Sequence, residues 1–336
     1  MKKKISQSKT NRSMGTSSDA SIFTSEEFVT TSATPEFASE LTPELTPELR
    51  AFVELVAKKG RELYRDLPWR RTYDPYAIWI SEVMLQQTQV SRVDGRWQRW
   101  LERFPTVDAL AAAAPSDVLE EWQGLGYNRR ALSVHRAAQA ISEAGGVFPQ
   151  DQKELVKLPG IGPATAAGIC AFAFNLHGVY LETNVRTVFL HELYPQAEGV
   201  PDSELIPLVE LTCPRSTTGA SDGAVGELTP RSWYYALLDY GAYLKKTIPN
   251  PSRRSKSHVK QTRFEGSHRQ KRAELLRVLL AHKDEGGAEL ETLHQDLCQI
   301  EVNAGRETLD EQVTLGLLEE LAKEGFCQKK DEYWMP

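Results

Sequence analysis

The feature that most constrains the fold of this chain is a run of glycine and proline, Leu158-Pro-Gly-Ile-Gly-Pro163, between two apolar segments of helical periodicity. Gly160 and Gly162 allow the backbone to turn tightly and to approach another molecule without a Cβ clash. Pro163 suits the first turn of the next helix, where its missing N–H costs nothing. The pattern predicts a helix-hairpin-helix whose free amides form an anion site suited to a DNA phosphate. An ordinary corner between two helices is the alternative interpretation.

The chain around this hairpin has the same helical character. Apolar residues recur at helical spacing in segments separated by glycine and proline, and no useful length of sequence alternates apolar and polar residues. We therefore predict an all-α region. The first helix of this region is predicted from Leu49. Further helical segments are predicted at about 75–88, 93–103, 115–122, 129–144, 151–158, 163–174, 183–193, 203–212 and 231–245.

Composition divides the chain into three parts. Residues 1–47 are rich in Ser, Thr and Pro and contain too few large apolar residues for a core, so we predict a disordered tail. Residues 48–268 form the helical domain, which includes a loose loop at 214–230 and a basic segment at 246–268. Residues 269–336 show three helices followed by a hairpin, which predicts a small winged-helix-like domain.

Charge distribution says more about partners than the net charge of −6, which by itself argues against generic nucleic-acid binding. Residues 245–272 contain ten Lys or Arg and a single acid. We expect Arg253, Arg254 and Lys256 to contact a DNA backbone. No apolar run approaches the roughly 18–20 residues of a membrane helix, and the basic start lacks an apolar signal region. A cytoplasmic location is expected, with nucleoid association in a bacterium.

The four cysteines have no metal-binding pattern. The two that lie closest in sequence, Cys298 and Cys327, are 29 positions apart, so no CxxC pair exists. We expect reduced thiols and no metal site.

The decapeptide from Ser81 to Val90 brings a carboxylate and three amides together in one segment of helical periodicity. Glu82 falls near the inner edge of a helix otherwise poor in charge, where burial would raise its pKa and make it a proton donor. A protonated purine is a better leaving group. The amides of Gln86 and Gln87 could fill the space left by a flipped base. A solvent-facing helix surface is the alternative for all three side chains.

Two further motifs carry side chains suited to the same chemistry. Glu182 precedes a helix that Thr183 could cap, and its carboxylate could stabilise a cationic sugar. The alternative is an acid that only favours the helix dipole. Tyr127, in a glycine turn, could wedge into a base stack, and Arg130 could neutralise a phosphate. A loop tyrosine packed on its own domain is the alternative. Together the motifs indicate a protein that grips a DNA backbone and cuts a base from its sugar.

The order of these motifs resembles the helix-hairpin-helix DNA glycosylases of the endonuclease III superfamily, most of all the A/G-specific adenine DNA glycosylase branch. The resemblance runs from about Leu67 to Lys246 and rests chiefly on the decapeptide. It implies two helical subdomains with the active site between them. It also implies that Glu82 protonates adenine, that Glu182 stands at the position of the catalytic Asp, and that Asn184 supports it. DNA contacts fall on Gln87, Tyr127 and the hairpin 158–163.

The sequence departs from that family in four ways. Glu182 is one methylene longer than Asp. Ala164 stands where bifunctional relatives carry a Schiff-base Lys, which favours monofunctional hydrolysis without lyase activity. The cysteine quartet is absent, so no iron–sulfur cluster is expected; a structural monovalent cation at the hairpin is left open. The winged-helix-like domain replaces the domain with which adenine glycosylases inspect 8-oxoguanine.

Three functional hypotheses follow. The first is a monomeric, monofunctional glycosylase that acts on double-stranded DNA and releases adenine mispaired with guanine or 8-oxoguanine. The second keeps the fold but changes the base to another mismatched or damaged one. Glu82 and Asn184 favour a purine. The third is a catalytically silent DNA-structure-binding protein, for which Glu182 is the supporting feature.

Overall fold

The structure, a computed structural model, describes residues 45–215, 228–259 and 263–336. Most of the predicted tail and of the 214–230 loop lies outside these residues. The end of the tail is described and differs from the prediction. Thr46 caps the first helix by accepting a hydrogen bond from Leu49 N at 3.3 Å, and Pro47 is the first helical residue. Proline at this position starts a helix rather than extending a coil.

Short helices account for most of the chain, and the predicted all-α region is confirmed. The helices are α1 Pro47–Leu63, α2 Pro75–Leu85, α3 Val90–Val93, α4 Arg96–Arg103, α5 Val107–Ala112, α6 Pro115–Trp122, α7 Arg129–Glu143, α8 Gln152–Leu155, α9 Pro163–Phe174, α10 Thr183–Glu192, α11 Asp202–Thr212, α12 Pro230–Thr247, α13 His268–Ala281, α14 Leu290–Asn303 and α15 Glu311–Lys323. The described residues also include three strands, which are β1 Ala288–Glu289, β2 Gln328–Lys330 and β3 Tyr333–Met335. The sequence pattern missed α3 and α5 and extended α2 three residues too far.

The helices before residue 250 form two groups that share one helix. Helices α1 and α10 pack on α12, whereas α2 to α7 pack mainly among themselves and α8 packs on α9. Helix α9 contacts both α2 and α12. A buried ion pair between Arg70 and Asp239, 2.7 Å, ties the segment before α2 to α12. Within the described ranges, no helix has the length and apolar character needed to cross a membrane.

The C-terminal region has the order helix, strand, helix, helix, strand, strand expected of a winged helix. The sheet is antiparallel with strand order β1-β3-β2, and Trp334 of β3 pairs with Ala288 on one side and Lys329 on the other. Trp334 is buried against the helices. The sequence pattern missed β1, because two residues are too few to show alternation.

Salt bridges join this domain to the helical domain. Lys283 contacts Asp117 and Glu120 of α6. Glu324, at the end of α15, lies 2.6 Å from a guanidinium nitrogen of Arg129 and 2.8 Å from one of Arg272. The acidic α15 is therefore paired with cations of the protein itself.

Candidate active site

Helix α2 carries the predicted proton donor, Glu82, on its interior side. Ile78 and Val83 are buried around it, and the side chain of Glu82 retains only partial exposure. The hydroxyl of Tyr180 donates a hydrogen bond to Glu82 Oε2 at 2.8 Å. Helix α9 makes room for this contact at Gly168, since a Cβ there would lie 2.7 Å from the same oxygen.

Glu182 lies at the start of α10, where it is itself the N-cap. Its Oε1 accepts hydrogen bonds from the backbone amides of Asn184 at 2.6 Å and Val185 at 3.2 Å. The prediction that Thr183 caps this helix was wrong, because Glu182 has the extended backbone of the N-cap residue and Thr183 is already the first helical residue. The capping role and a role near the sugar are compatible, since a carboxylate has two oxygens.

Asn184 is held against α12. Lys245 Nζ donates to Asn184 Oδ1 at 3.1 Å. Gly241, one turn earlier on α12, permits the close approach: a Cβ there would lie 2.2 Å from the Asn184 carbonyl oxygen. The start of α10, with its carboxylate and amide, is thus fixed on a rigid partner helix.

Electrostatics distinguish these two acids from surface carboxylates. Burial raises the pKa of Glu82 from 4.5 to about 7; the hydrogen bond from Tyr180 opposes the rise, the charge of Glu182 adds to it, and Arg70 opposes it. Burial also raises the pKa of Glu182, while the Asn184 amide and Lys245 counteract it. The two carboxyl groups are close enough to affect each other. A carboxyl group with a pKa near 7 is partly protonated at neutral pH and can donate that proton.

The amides after Glu82 do not lie on its helix. Helix α2 ends at Leu85, and Gln86 donates to Thr165 Oγ1 at 3.1 Å. Gln87 is exposed and adopts a left-handed conformation with φ of 54°. The left-handed conformation is energetically unfavourable for residues other than glycine, and such backbone strain is found most often at functional sites.

Arg130, which was predicted to bind DNA, makes hydrogen bonds within the protein. Its guanidinium donates to the carbonyls of Val83 at 2.6 Å and Gln86 at 2.7 Å, and to those of Leu125 and Gly126. Burial lowers its pKa to about 10. Arg130 therefore caps the C-terminal end of α2 and holds the loop before it, because its donors are used within the protein.

The turn before α7 presents Tyr127. This residue is 44% exposed and has a left-handed φ of 50°. The Arg130 guanidinium carbon lies 5.4 Å from its ring centroid. An exposed aromatic ring on a turn anchored by a capping arginine is well placed to wedge between bases.

The hairpin forms as predicted between α8 and α9. Gly160 has a φ of 75°, and a Cβ there would lie 2.5 Å from Ser133 Cβ, so only glycine fits. Gly162 is the N-cap of α9, and open space surrounds the position of its missing Cβ. The first backbone bond of α9 runs from Ala166 N to Gly162 O, which leaves the preceding amides without a partner inside the helix. This geometry suits a phosphate.

The basic segment lies beside these elements and lines a cleft. The cleft has a volume of about 830 Å³, and Gln87, Thr183, Arg186 and Arg253 are among its lining residues. Thr183 directly follows Glu182, so one wall of the cleft lies at the start of α10; neither Glu82 nor Glu182 is itself among the lining residues. Arg253 is an exposed cation among the lining residues, whereas Arg186 is partly buried. An exposed cation of this kind suits contact with a nucleic acid backbone.

The three predicted cations of this segment have different positions. Arg253 and Lys256 are exposed. Arg254 is partly buried, and its guanidinium donates to Leu190 O at 2.7 Å and to the carbonyl of Tyr194, capping the end of α10. Backbone bonds between Val200 and the segment 254–256 complete this attachment.

The residues of the chain do not fit an iron–sulfur cluster. Cys170 is buried in α9, Cys213 follows α11, and Cys298 and Cys327 belong to the C-terminal domain. Within the described residues, no group of three or more His, Cys, Asp or Glu side chains is arranged to hold a metal ion. A cluster needs several thiolates at one place.

Sequence reasoning missed three residues of this site. Tyr180 touches Glu82, Lys245 holds Asn184, and Arg186 lines the cleft while paired with Asp202 at 2.8 Å. Arg186 lies in the predicted helical segment 183–193 and Lys245 at the start of the basic stretch 245–272, but only the tertiary fold brings them to Asp202 and Asn184. No local sequence signal points to Tyr180, which lies 98 positions from Glu82.

Known proteins resemble this chain in both sequence and fold. Residues 80–228 match the family described as "HhH-GPD superfamily base excision DNA repair protein". The adenine DNA glycosylase of Mycolicibacterium smegmatis is 38% identical over 223 residues, which cover 64% of this chain and 75% of that protein. The adenine DNA glycosylase of Mycobacterium tuberculosis is 36% identical over 234 residues, 65% of this chain and 75% of that protein. A solved thermostable thymine-DNA glycosylase shares the fold, with a TM-score of 0.52, 22% identity and coverage of 61% of this chain and 90% of its own.

Proposed function

The chain belongs to the HhH-GPD superfamily of base excision DNA repair proteins, and on that premise we propose that it is a monofunctional glycosylase that hydrolyses the bond between adenine and its sugar. The observation that carries this proposal is the partly buried Glu82, whose pKa is raised to about 7 beside a second acid. A proton donor for a purine and a carboxylate for the sugar cation are the two groups that such hydrolysis needs.

The reaction proceeds in two stages. The adenine is flipped out of the duplex, and Glu82 transfers its proton to a ring nitrogen of the base as the glycosidic bond breaks. The electron pair of that bond leaves with the base, and Glu182 stabilises the cationic sugar. Water then adds its hydroxide to the sugar carbon, and its remaining proton restores the acid form of Glu82. The products are adenine and an abasic site.

Glu182 performs this role from a different position than a shorter Asp would occupy. Its Oε1 is used by the backbone amides at the start of α10, which leaves Oε2 to face the developing cation. A displacement of about 1 Å can cost on the order of 10²-fold in rate. In this proposal, the hydrogen bonds at the start of α10 hold the longer Glu182 side chain back toward the helix and so offset its additional methylene group.

The base opposite adenine is proposed to be guanine or 8-oxoguanine. Support comes from the adenine-releasing site itself, since adenine in an ordinary pair with thymine must not be removed. The test is single-turnover cleavage of duplexes that carry adenine opposite each of guanine, 8-oxoguanine, cytosine and thymine, with other mismatched or damaged bases in parallel. Release of a different base in preference to adenine would refute the substrate, and release of none would refute the activity.

We further propose that the protein acts as a monomer on double-stranded DNA in the cytoplasm, without an iron–sulfur cluster. The separate positions of the four cysteines support the absence of a cluster. The segment that carries Arg253 and Lys256 supplies the contacts with the DNA backbone. Metal analysis and the visible spectrum of protein purified without oxygen test it. Stoichiometric iron with an absorbance band near about 400 nm would contradict the proposal.

A further inference from the structure

The residue Tyr180 lies in the segment between α9 and α10 and touches the proton donor directly. Its side chain is 6% exposed, and its hydroxyl donates to Glu82 Oε2 at 2.8 Å. We propose that Tyr180 is a positioning residue for Glu82, which directs the transferable proton to Oε1. This inference rests on the proposed function of Glu82 as the acid.

The surroundings of Tyr180 leave its ring little freedom. Its centroid lies 5.2 Å from that of Phe172 and 5.3 Å from that of Tyr234, both at steep angles. Its backbone N–H donates to the Tyr234 hydroxyl at 3.1 Å. A Cβ at position 168 would lie 2.8 Å from the ring, so Gly168 is required for this placement. The hydroxyl is thus aimed at one oxygen of Glu82 by packing from several sides.

A phenol is suited to this task because it remains a donor throughout the titration of Glu82. Burial, together with the charges of Glu82 and Glu182, keeps the pKa of Tyr180 well above its usual value. When Glu82 is protonated, Tyr180 still donates to Oε2, so the carboxyl proton occupies Oε1. The hydrogen bond fixes both the rotamer of the acid and the oxygen that delivers the proton.

The hydrogen bond from Tyr180 also affects the pH at which Glu82 loses its proton. The titratable and charged groups that face Glu82 are Tyr180, Glu182, Arg70 and Tyr235. Burial and Glu182 raise the pKa of Glu82, whereas Tyr180 and Arg70 lower it. Loss of the hydroxyl should therefore move the titration of Glu82 to higher pH while its geometry loosens.

The test is Tyr180→Phe with Tyr76→Phe as a matched control. Tyr76 is a buried tyrosine on the same helix as Glu82, with its hydroxyl bonded to Phe104 O at 2.8 Å. Single-turnover adenine release is measured from about pH 5 to 9. We expect Tyr180→Phe to lower the low-pH plateau by about 10- to 100-fold. Its basic limb should move to higher pH. Tyr76→Phe should keep the wild-type midpoint.

An unchanged or lower midpoint in Tyr180→Phe would overturn the proposal, because a purely structural loss reduces the rate equally at every pH. Two further measurements separate this from failure of the proposed function. The carboxyl carbon of Glu82 is titrated by NMR in the wild type and in Tyr180→Phe, a measurement that requires no substrate. An identical titration midpoint in the two proteins would also overturn the proposal. Difluorotyrosine at position 180, a stronger donor of nearly the same shape, should move the midpoint down, and an upward move would count against it.

Discussion

Replacing Glu82 by Gln should abolish catalysis and stabilise the protein, and the second effect should depend on pH. Glutamine has nearly the same shape and still accepts the hydrogen bond from Tyr180, but it cannot act as a carboxylic acid. General acid catalysis contributes about 10²- to 10⁴-fold. We expect adenine release to fall by at least about 10²-fold, with DNA affinity retained.

The stability effect follows from the raised pKa. Between pH 4.5 and about 7 the folded protein holds the Glu82 proton more tightly than the unfolded chain does, so stability falls as the pH rises through that window. Each tenfold difference in proton affinity is worth about 1.4 kcal/mol. The ionised side chain therefore costs the folded state at most about 3 kcal/mol above pH 7, and about 1–3 kcal/mol after allowance for its partial exposure.

Glu82→Gln removes this cost, so its advantage over the wild type should be small at pH 5 and largest at pH 8.5. A gain of this size raises the melting temperature by on the order of 5 °C. Thermal unfolding at both pH values measures it, with the exposed Glu102→Gln on α4 as the control. A difference that stays constant between the two pH values would refute the linkage argument. Adenine release within about threefold of the wild type would remove Glu82 from the mechanism.

Three further predictions concern binding, chemistry and the C-terminal domain. Arg253→Ala with Lys256→Ala should weaken binding to every duplex and flatten the salt dependence by about two phosphates, whereas Arg254→Ala should mainly lower the melting temperature, since it uncaps α10; equal effects of both on binding would contradict the assignment. Borohydride should trap no covalent DNA adduct, because Ala164 cannot form an imine, and product strands should stay intact until treated with base; adduct formation would disprove the hydrolytic route. Glu324→Ala breaks the contacts with Arg129 and Arg272 and should make the C-terminal domain, residues 269–336, more sensitive to protease by about two- to fivefold; unchanged protease sensitivity would show that other contacts dominate.

Much of the fold is readable from local sequence. The hairpin is predictable because a tight turn at Gly160 depends only on the absence of a Cβ, which is a property of that residue. Several helix starts are also predictable, because proline in the first turn of α1, α2, α6, α9 and α12 favours a helix start through its fixed φ. The two-residue strand β1 is not predictable, because its conformation depends on pairing with β3, more than forty positions away.

The cations show a difference between residues that sequence reasoning did not distinguish. Arg130, Arg253 and Arg254 look alike in the sequence, and all three were assigned to DNA. Arg130 and Arg254 instead donate to carbonyl groups at the ends of α2 and α10, which lie 47 and 64 positions away. Only Arg253 is left exposed at the cleft. Whether an arginine has donors left for DNA depends on which carbonyl groups at helix ends the tertiary fold brings close to its guanidinium group.

The sequence by itself determined the chemical inventory of the site, which is two acids, a row of amides, a tyrosine turn and a hairpin. Those identities and their local turns are properties of short segments. The tertiary structure decided how the acids behave. It buried Glu82, brought the Tyr180 hydroxyl to one of its oxygens and placed Glu182 near enough to interact with it. The pKa of a carboxyl group depends on solvent, hydrogen bonds and charges, and these come from elements that meet only in the folded protein.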